Sequence, residues 1–179
     1  DYRITFELLT KLYHHLLNKI DDSKQMIIMG DSAGGQIALA FVQQLKKDSE
    51  PQPSHIVLIS PVLDATFSNP EARKYEKEDP MLGIEGSKYL VNLWAGDAPL
   101  DHYKLSPMYG DLEDLGHITI TTGTKETLYP DAVKFSTMLN EKGINHEFIP
   151  GYSLFHIYPI FPIPERERFL EQLKRIILK

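Results

Sequence analysis

The sequence predicts an α/β fold built on a parallel sheet, on three observations. Short apolar runs read as strands at 26–29, 55–60, 117–124 and 146–151. Stretches with helical periodicity or strong helix formers alternate with them along the chain. The first strand also runs straight into a helix through "GDSAGG" at 30–35, a glycine-flanked serine at a strand-to-helix junction.

Each element has a local reason. Leu9, Leu12, Tyr13, Leu16, Leu17 and Ile20 fall at helical spacing, predicting a helix with one apolar stripe that ends at Asp21 and Asp22. Met26 to Met29 is wholly apolar, as expected of a strand buried on both faces. From Ala33 to Lys47 the chain holds no proline and many helix formers. The Pro-rich link "EPQPS" leads to "HIVLIS", a second buried strand stopped by Pro61. Residues 64–107 are charged and Pro-rich, and too long for a simple connection. They read as an insertion over one end of the sheet, with helical pieces near 71–76 and 85–95. "HITITTGT" is the third strand. A helix over 130–142 follows, with Pro130 in its first turn and Gly143 just past its end. "HEFIPG" is the fourth strand. The last helix carries Phe169, Leu170, Leu173, Ile176 and Ile177 as its stripe. Glu165 and Glu167 stand at its start and Lys174, Arg175 and Lys179 near its end, matching the helix dipole.

Bulk properties narrow the function. A chain of 179 residues fits one domain with a sizeable core. No apolar run reaches the roughly 18–20 residues of a bilayer span. The net charge of −6, with Lys and Arg scattered, argues against a nucleic-acid surface. The absence of cysteine excludes disulfides, cysteine nucleophiles and thiolate zinc sites, and fits a cytoplasmic location.

Gly30-Asp31-Ser32-Ala33-Gly34 matches G-x-S-x-G between a strand and a helix, the setting of a nucleophile elbow. Glycines are expected on either side because strand and helix backbones approach too closely for a Cβ. The turn would lift the Ser32 hydroxyl above the carboxyl edge of the sheet and aim the Ala33 N–H at the same point, as an oxyanion donor. The plainer alternative is a Gly-rich turn with an incidental capping serine. The similar GDSGG of chymotrypsin-like proteases belongs to an all-β domain whose serine follows its His and Asp, whereas a helix follows this serine and the candidate partners lie downstream.

A serine nucleophile needs a base, and the base an orienting carboxylate. Of the seven histidines, His14 and His15 precede the serine. His55, His117 and His146 begin strands, the wrong end of a parallel sheet for a site. His102 lies in the insertion. His156 lies in the loop between the last strand and the last helix and is the favoured base. For the acid, the loop after the third strand offers Glu126 and Asp131. Glu126 is favoured, because Asp131 follows Pro130 at a helix start, where an acidic residue has a structural reason of its own.

These motifs resemble the hormone-sensitive-lipase-like branch of the α/β-hydrolases, as found among microbial acetyl esterases and lipase/esterases. The resemblance is carried by GDSAGG (30–35), SPVLD (60–64), EKEDPML (76–82), LWAGD (93–97), LSPMYGDLEDL (105–115), GTKETLYPDA (123–132) and PGYSLFHIYPIFPIPE (150–165). It implies a partial α/β-hydrolase domain, roughly the C-terminal three-fifths of such an enzyme. Residues 64–107 would supply part of a cap over an acyl pocket. The implied activity is hydrolysis of short-acyl carboxylic esters through a Ser32–His156–Glu126 triad and an acyl-enzyme, without metal or organic cofactor. The family's acid is usually Asp where this chain has Glu126.

The branch's His-Gly-Gly oxyanion loop, expected upstream of Asp1, is not among these residues. Loss of one oxyanion donor costs on the order of 10²–10³ in turnover. The 26–29 strand without a neighbour would be a bare apolar edge. The chain alone is therefore expected to be a poor enzyme that associates with itself through that edge. Alternative readings are an amidase-type hydrolase on the same fold and a non-catalytic remnant acting as an interaction module.

Overall fold

The computed structural model describes residues 1–178. Lys179, placed at the end of the last helix by the sequence reading, lies outside them. The elements run α1 (Tyr2–Leu17), β1 (Ile27–Asp31), α2 (Ala33–Lys47), β2 (His55–Ile59), α3 (Ala72–Tyr75), α4 (Ile84–Ala95), β3 (His117–Gly123), α5 (Tyr129–Glu141), β4 (His146–Gly151) and α6 (Pro164–Ile177). Single 3₁₀ turns form at Ser23–Gln25, Pro107–Tyr109 and Tyr158–Ile160.

The four strands pair in parallel in the order β1-β2-β3-β4, with Ile27 opposite His55, His55 opposite His117 and Ile118 opposite His146. Alternation along β2 divides the core. Ile56 and Leu58 pack with Leu39 and Val42 of α2 and with Phe135 and Leu139 of α5. Val57 and Ile59 pack on the other face with Tyr158 and with Phe169 and Leu173 of α6. The parallel register brings every strand's carboxyl end to one edge, where the loops after β1, β3 and β4 meet.

Two expectations at the amino end need correction. Helix α1 begins with the Asp1 carboxylate accepting the Arg3 N–H at 3.0 Å. It ends at Leu17, so Ile20 lies beyond it and Asp22 caps the following 3₁₀ turn through Lys24 N–H at 2.8 Å. Its apolar residues form two faces rather than one stripe. Phe6 and Tyr13 are buried against the α2 side and Leu9 and Leu17 pack with them, while Ile4, Leu8, Leu12 and Leu16 are exposed. Likewise β1 is not buried on both faces. It is an edge strand whose Ile28 face packs against the core beside α2, while Ile27 and Met29 on the other face are 38% and 50% exposed, because α6 covers that face over β2 and no described residue covers it over β1.

The segment between β2 and β3 is tied down by carboxylates. Asp64 accepts from Thr66 N–H, Thr66 Oγ1 and Tyr109 Oη at 2.8, 2.6 and 2.9 Å. Burial raises the Asp64 pKa, but the hydrogen bonds from Thr66, Tyr109 and Ser68 outweigh it and hold the group below its ordinary range. Glu76 accepts the Ile84 N–H at 2.7 Å at the start of α4. Asp79 accepts the Thr127 N–H at 2.7 Å, which joins this segment to the loop after β3.

Candidate active site

Ser32 sits between the end of β1 and the start of α2 with φ +53°, left-handed for a residue with a Cβ. The turn is pinned through its backbone: Ser32 N–H donates to Ile59 O at 2.9 Å and Ser32 O accepts from Val62 N–H at 3.1 Å. Ser32 is half-buried and Ala33 exposed. As the first residue of α2, Ala33 has no earlier carbonyl of its own helix for its N–H.

The elbow's steric demand is distributed differently from the expectation. A Cβ on Gly30 would lie 2.1 Å from Gly34 O, and one on Gly35 would lie 2.8 Å from Pro61 Cβ. A Cβ on Gly34 would meet only Asp31 Oδ1, at 4.0 Å. Gly30 and Gly35 are therefore the positions where strand, helix and the β2 exit crowd each other, and Gly34 is not required to be glycine by its described neighbours. The G-x-S-x-G pattern drew attention to Gly34, while the second glycine of the Gly-Gly pair carries the close contact.

The structure brings the three favoured residues together. His156 is buried, and its Nε2 lies 3.0 Å from Ser32 Oγ. Its Nδ1 faces Glu126 Oε2 at 3.5 Å, longer than a hydrogen bond. Glu126 is fully buried and receives three donors: Ser60 Oγ at 2.8 Å and Gly123 N–H at 3.3 Å on Oε2, and Thr122 Oγ1 at 2.6 Å on Oε1. Ser60 and Thr122 were not singled out from the sequence as site residues. Ser60 lay inside the quoted SPVLD and Thr122 inside HITITTGT, but no spacing rule links either to a carboxylate in another loop.

The acid and histidine loops are laced together over the end of the sheet. Thr124 N–H donates to Gly151 O at 2.9 Å and Lys125 N–H to Leu154 O at 3.0 Å. A Cβ on Gly123 would lie 2.4 Å from Leu154 O, so glycine there lets the histidine loop cross the end of β3.

The unselected candidates lie elsewhere. Asp131 accepts from Asn69 Nδ2 at 2.8 Å, and burial pushes its pKa up. His102 rests against the Tyr103 ring at 4.8 Å, near α1. His14 pairs with Glu50 at 2.8 Å. The His55 and His117 rings meet at 5.6 Å at the amino end of the sheet, and His146 Nε2 lies 2.7 Å from Ser136 Oγ.

Known proteins share this arrangement of elements. The profile of a family with the alpha/beta hydrolase fold matches residues 3–160. An esterase from Acinetobacter venetianus is 31% identical over 96% of this chain and 58% of its own length. An acetyl-hydrolase from Streptomyces hygroscopicus is 30% identical over 89% of this chain and 54% of its own. The crystal structure of a presumptive esterase from Staphylococcus aureus superposes with a TM-score of 0.94 at 31% identity, over 98% of this chain and 59% of that one. An esterase of the bacterial hormone-sensitive lipase family gives 0.87 at 25% identity, over 92% and 56%. The chain thus spans just over half the length of the relatives it matches. Sequence and fold agree in their conclusion: the chain belongs to the α/β-hydrolase family, on its hormone-sensitive-lipase-like branch.

Proposed function

We propose that this chain carries the catalytic residues of a carboxylic ester hydrolase that works through an acyl-enzyme. The observation that supports it most directly is the 3.0 Å contact between Ser32 Oγ and His156 Nε2, with Glu126 behind the ring. In this reading His156 Nε2 takes the Ser32 proton as Oγ attacks the ester carbonyl. The tetrahedral oxyanion forms beside the Ala33 N–H and the amino end of α2. His156 then passes the proton to the departing alcohol. Water, deprotonated by the same nitrogen, releases the acid and restores Ser32. Glu126 keeps Nδ1 protonated, so that Nε2 is the basic nitrogen.

The segment 64–107 acts as part of the cap, since Asp79 fastens it to the loop that bears Glu126. Short-acyl esters are the substrate class, by analogy with the acetyl-hydrolase and esterase relatives. The test is intact-mass analysis after fluorophosphonate treatment. One label, mapped to Ser32 and absent from Ser32→Ala, supports the reading. No label in a folded protein overturns it and leaves the remnant reading, that of a non-catalytic interaction module. Hydrolysis of p-nitrophenyl amides in preference to esters would move the assignment to the amidase class.

A further inference from the structure

Three residues around the site hold left-handed backbone although none is glycine: Ser32 at φ +53°, Ser60 at +47° and Ile157 at +50°. At Ser32 the elbow accounts for it. The other two meet each other: Ile157 N–H donates to Ser60 Oγ at 3.0 Å, and Ser60 Oγ–H donates to Glu126 Oε2 at 2.8 Å. Ile157 directly follows His156, and Ser60 directly follows β2. Glycine would occupy φ +47° without strain, so a fully buried serine there is explained by its hydroxyl rather than by its backbone.

The geometry points to Ser60 as a positioning residue that sets the acid and the base of the triad against each other, an inference resting on the Ser32–His156–Glu126 reading. The hydroxyl has one proton. With its oxygen taken by the Ile157 N–H, that proton is directed to Glu126, so a single side chain fixes both the carboxylate and the residue after the histidine. The base is otherwise weakly held on this side, because His156 Nδ1 is 3.5 Å from the carboxylate. The backbone of Ser60 is itself fixed, its N–H donating to Thr121 O at 2.7 Å on β3. Ser60 thereby ties the loops after β3 and β4 to the end of β2, and its removal frees the His156 ring to turn away from Ser32.

The experiment compares Ser60→Gly, Ser60→Ala, Glu126→Gln and the Ser60→Gly/Glu126→Gln double variant of this chain, by ester hydrolysis, fluorophosphonate labelling rate and thermal melting. Glycine relieves the backbone strain that alanine keeps, so Ser60→Gly should melt above Ser60→Ala while both lose activity alike. The expected loss is about 10–100-fold in kcat or labelling rate, as for outer partners of functional histidines, with KM little changed. Because Ser60 and Glu126 position the same imidazole, the double variant should lose clearly less than the product of the two single losses. Losses that multiply, or Ser60→Gly labelling at the wild-type rate, overturn the inference.

If the wild-type chain neither hydrolyses esters nor labels, the esterase reading has failed and the positioning role is decided by NMR. The ring nitrogens of His156, assigned against His156→Gln, should show an Nδ1-protonated ring in the wild type and mixed tautomers in Ser60→Gly. Identical tautomers in both would overturn it.

Discussion

The β1 and β2 strands are nearly equal in sequence character and opposite in environment. "IIMGD" and "HIVLI" are both short and predominantly apolar, yet Val57 is fully buried and its register partner Met29 is 50% exposed. The difference lies in what each strand has beside it. β2 has a strand on each side and helices on both faces, whereas β1 has a partner on one edge only. Ser32 follows the less covered β1, whereas Glu126 follows the buried β3 and His156 follows β4, the other edge strand. What holds Ser32 in place is therefore the end of β2 and the segment just past it, through the backbone bonds of Ile59 and Val62.

Ser32→Ala gives the largest expected effect on that contrast. It should lower any esterase turnover by at least about 10⁴-fold, as for other triad nucleophiles, while melting close to wild type. A melting point within a few degrees, with the activity unchanged, would remove Ser32 from the chemistry.

The elbow glycines come next, because they separate a crowded backbone from a free one. Gly30→Ala forces a Cβ against the Gly34 carbonyl and should cost about 3 kcal/mol or more, lowering Tm by roughly 6–12 °C. Gly34→Ala should stay within about 1 kcal/mol of wild type, since it adds a helix former in open space. Equal effects in differential scanning calorimetry would mean that the turn is not built as described.

The two carboxylates after β3 form the third comparison. Glu126→Gln should slow turnover, whereas Asp131→Asn should leave it unchanged and alter stability instead. Burial holds the Asp131 carboxyl above its ordinary range. As pH rises the unfolded chain loses that proton first, near its pKa of about 3.9, so this group makes stability fall with pH until the folded group also ionises. Asn should therefore stabilise the protein at neutral pH and have no such advantage below about pH 3, where both states are protonated. Urea melts across that range check the sign.

The smallest effect on stability belongs to the open edge. Met29→Lys should change Tm little, because the side chain is half exposed, yet it should reduce concentration-dependent association in sedimentation velocity. An unassociated wild-type chain would show that the edge does not pair with a second copy.

Apolar runs, periodicity and helix-stop residues located most strands and helices to within a few residues, because these signals are local, though the first helix starts well before the stripe that marked it. "HIVLI" and the proline-free run after Ala33 state their conformation in consecutive residues. The GDSAGG junction likewise announced Ser32, since an elbow is a local backbone event, and chain order then pointed to Glu126 and His156. What stayed illegible was every property that depends on a neighbour distant in sequence. Leu12 and Leu16 read as buried until the helix proved to turn that face outward, and Gly35 outranks Gly34 chiefly because Pro61, far along the chain, leans on it. The sequence by itself determined the order of elements and singled out Ser32, Glu126 and His156 as candidates. Tertiary structure alone decided that Ser60 would bind both Glu126 and the histidine loop, because a hydroxyl's partners are chosen by where two other loops arrive.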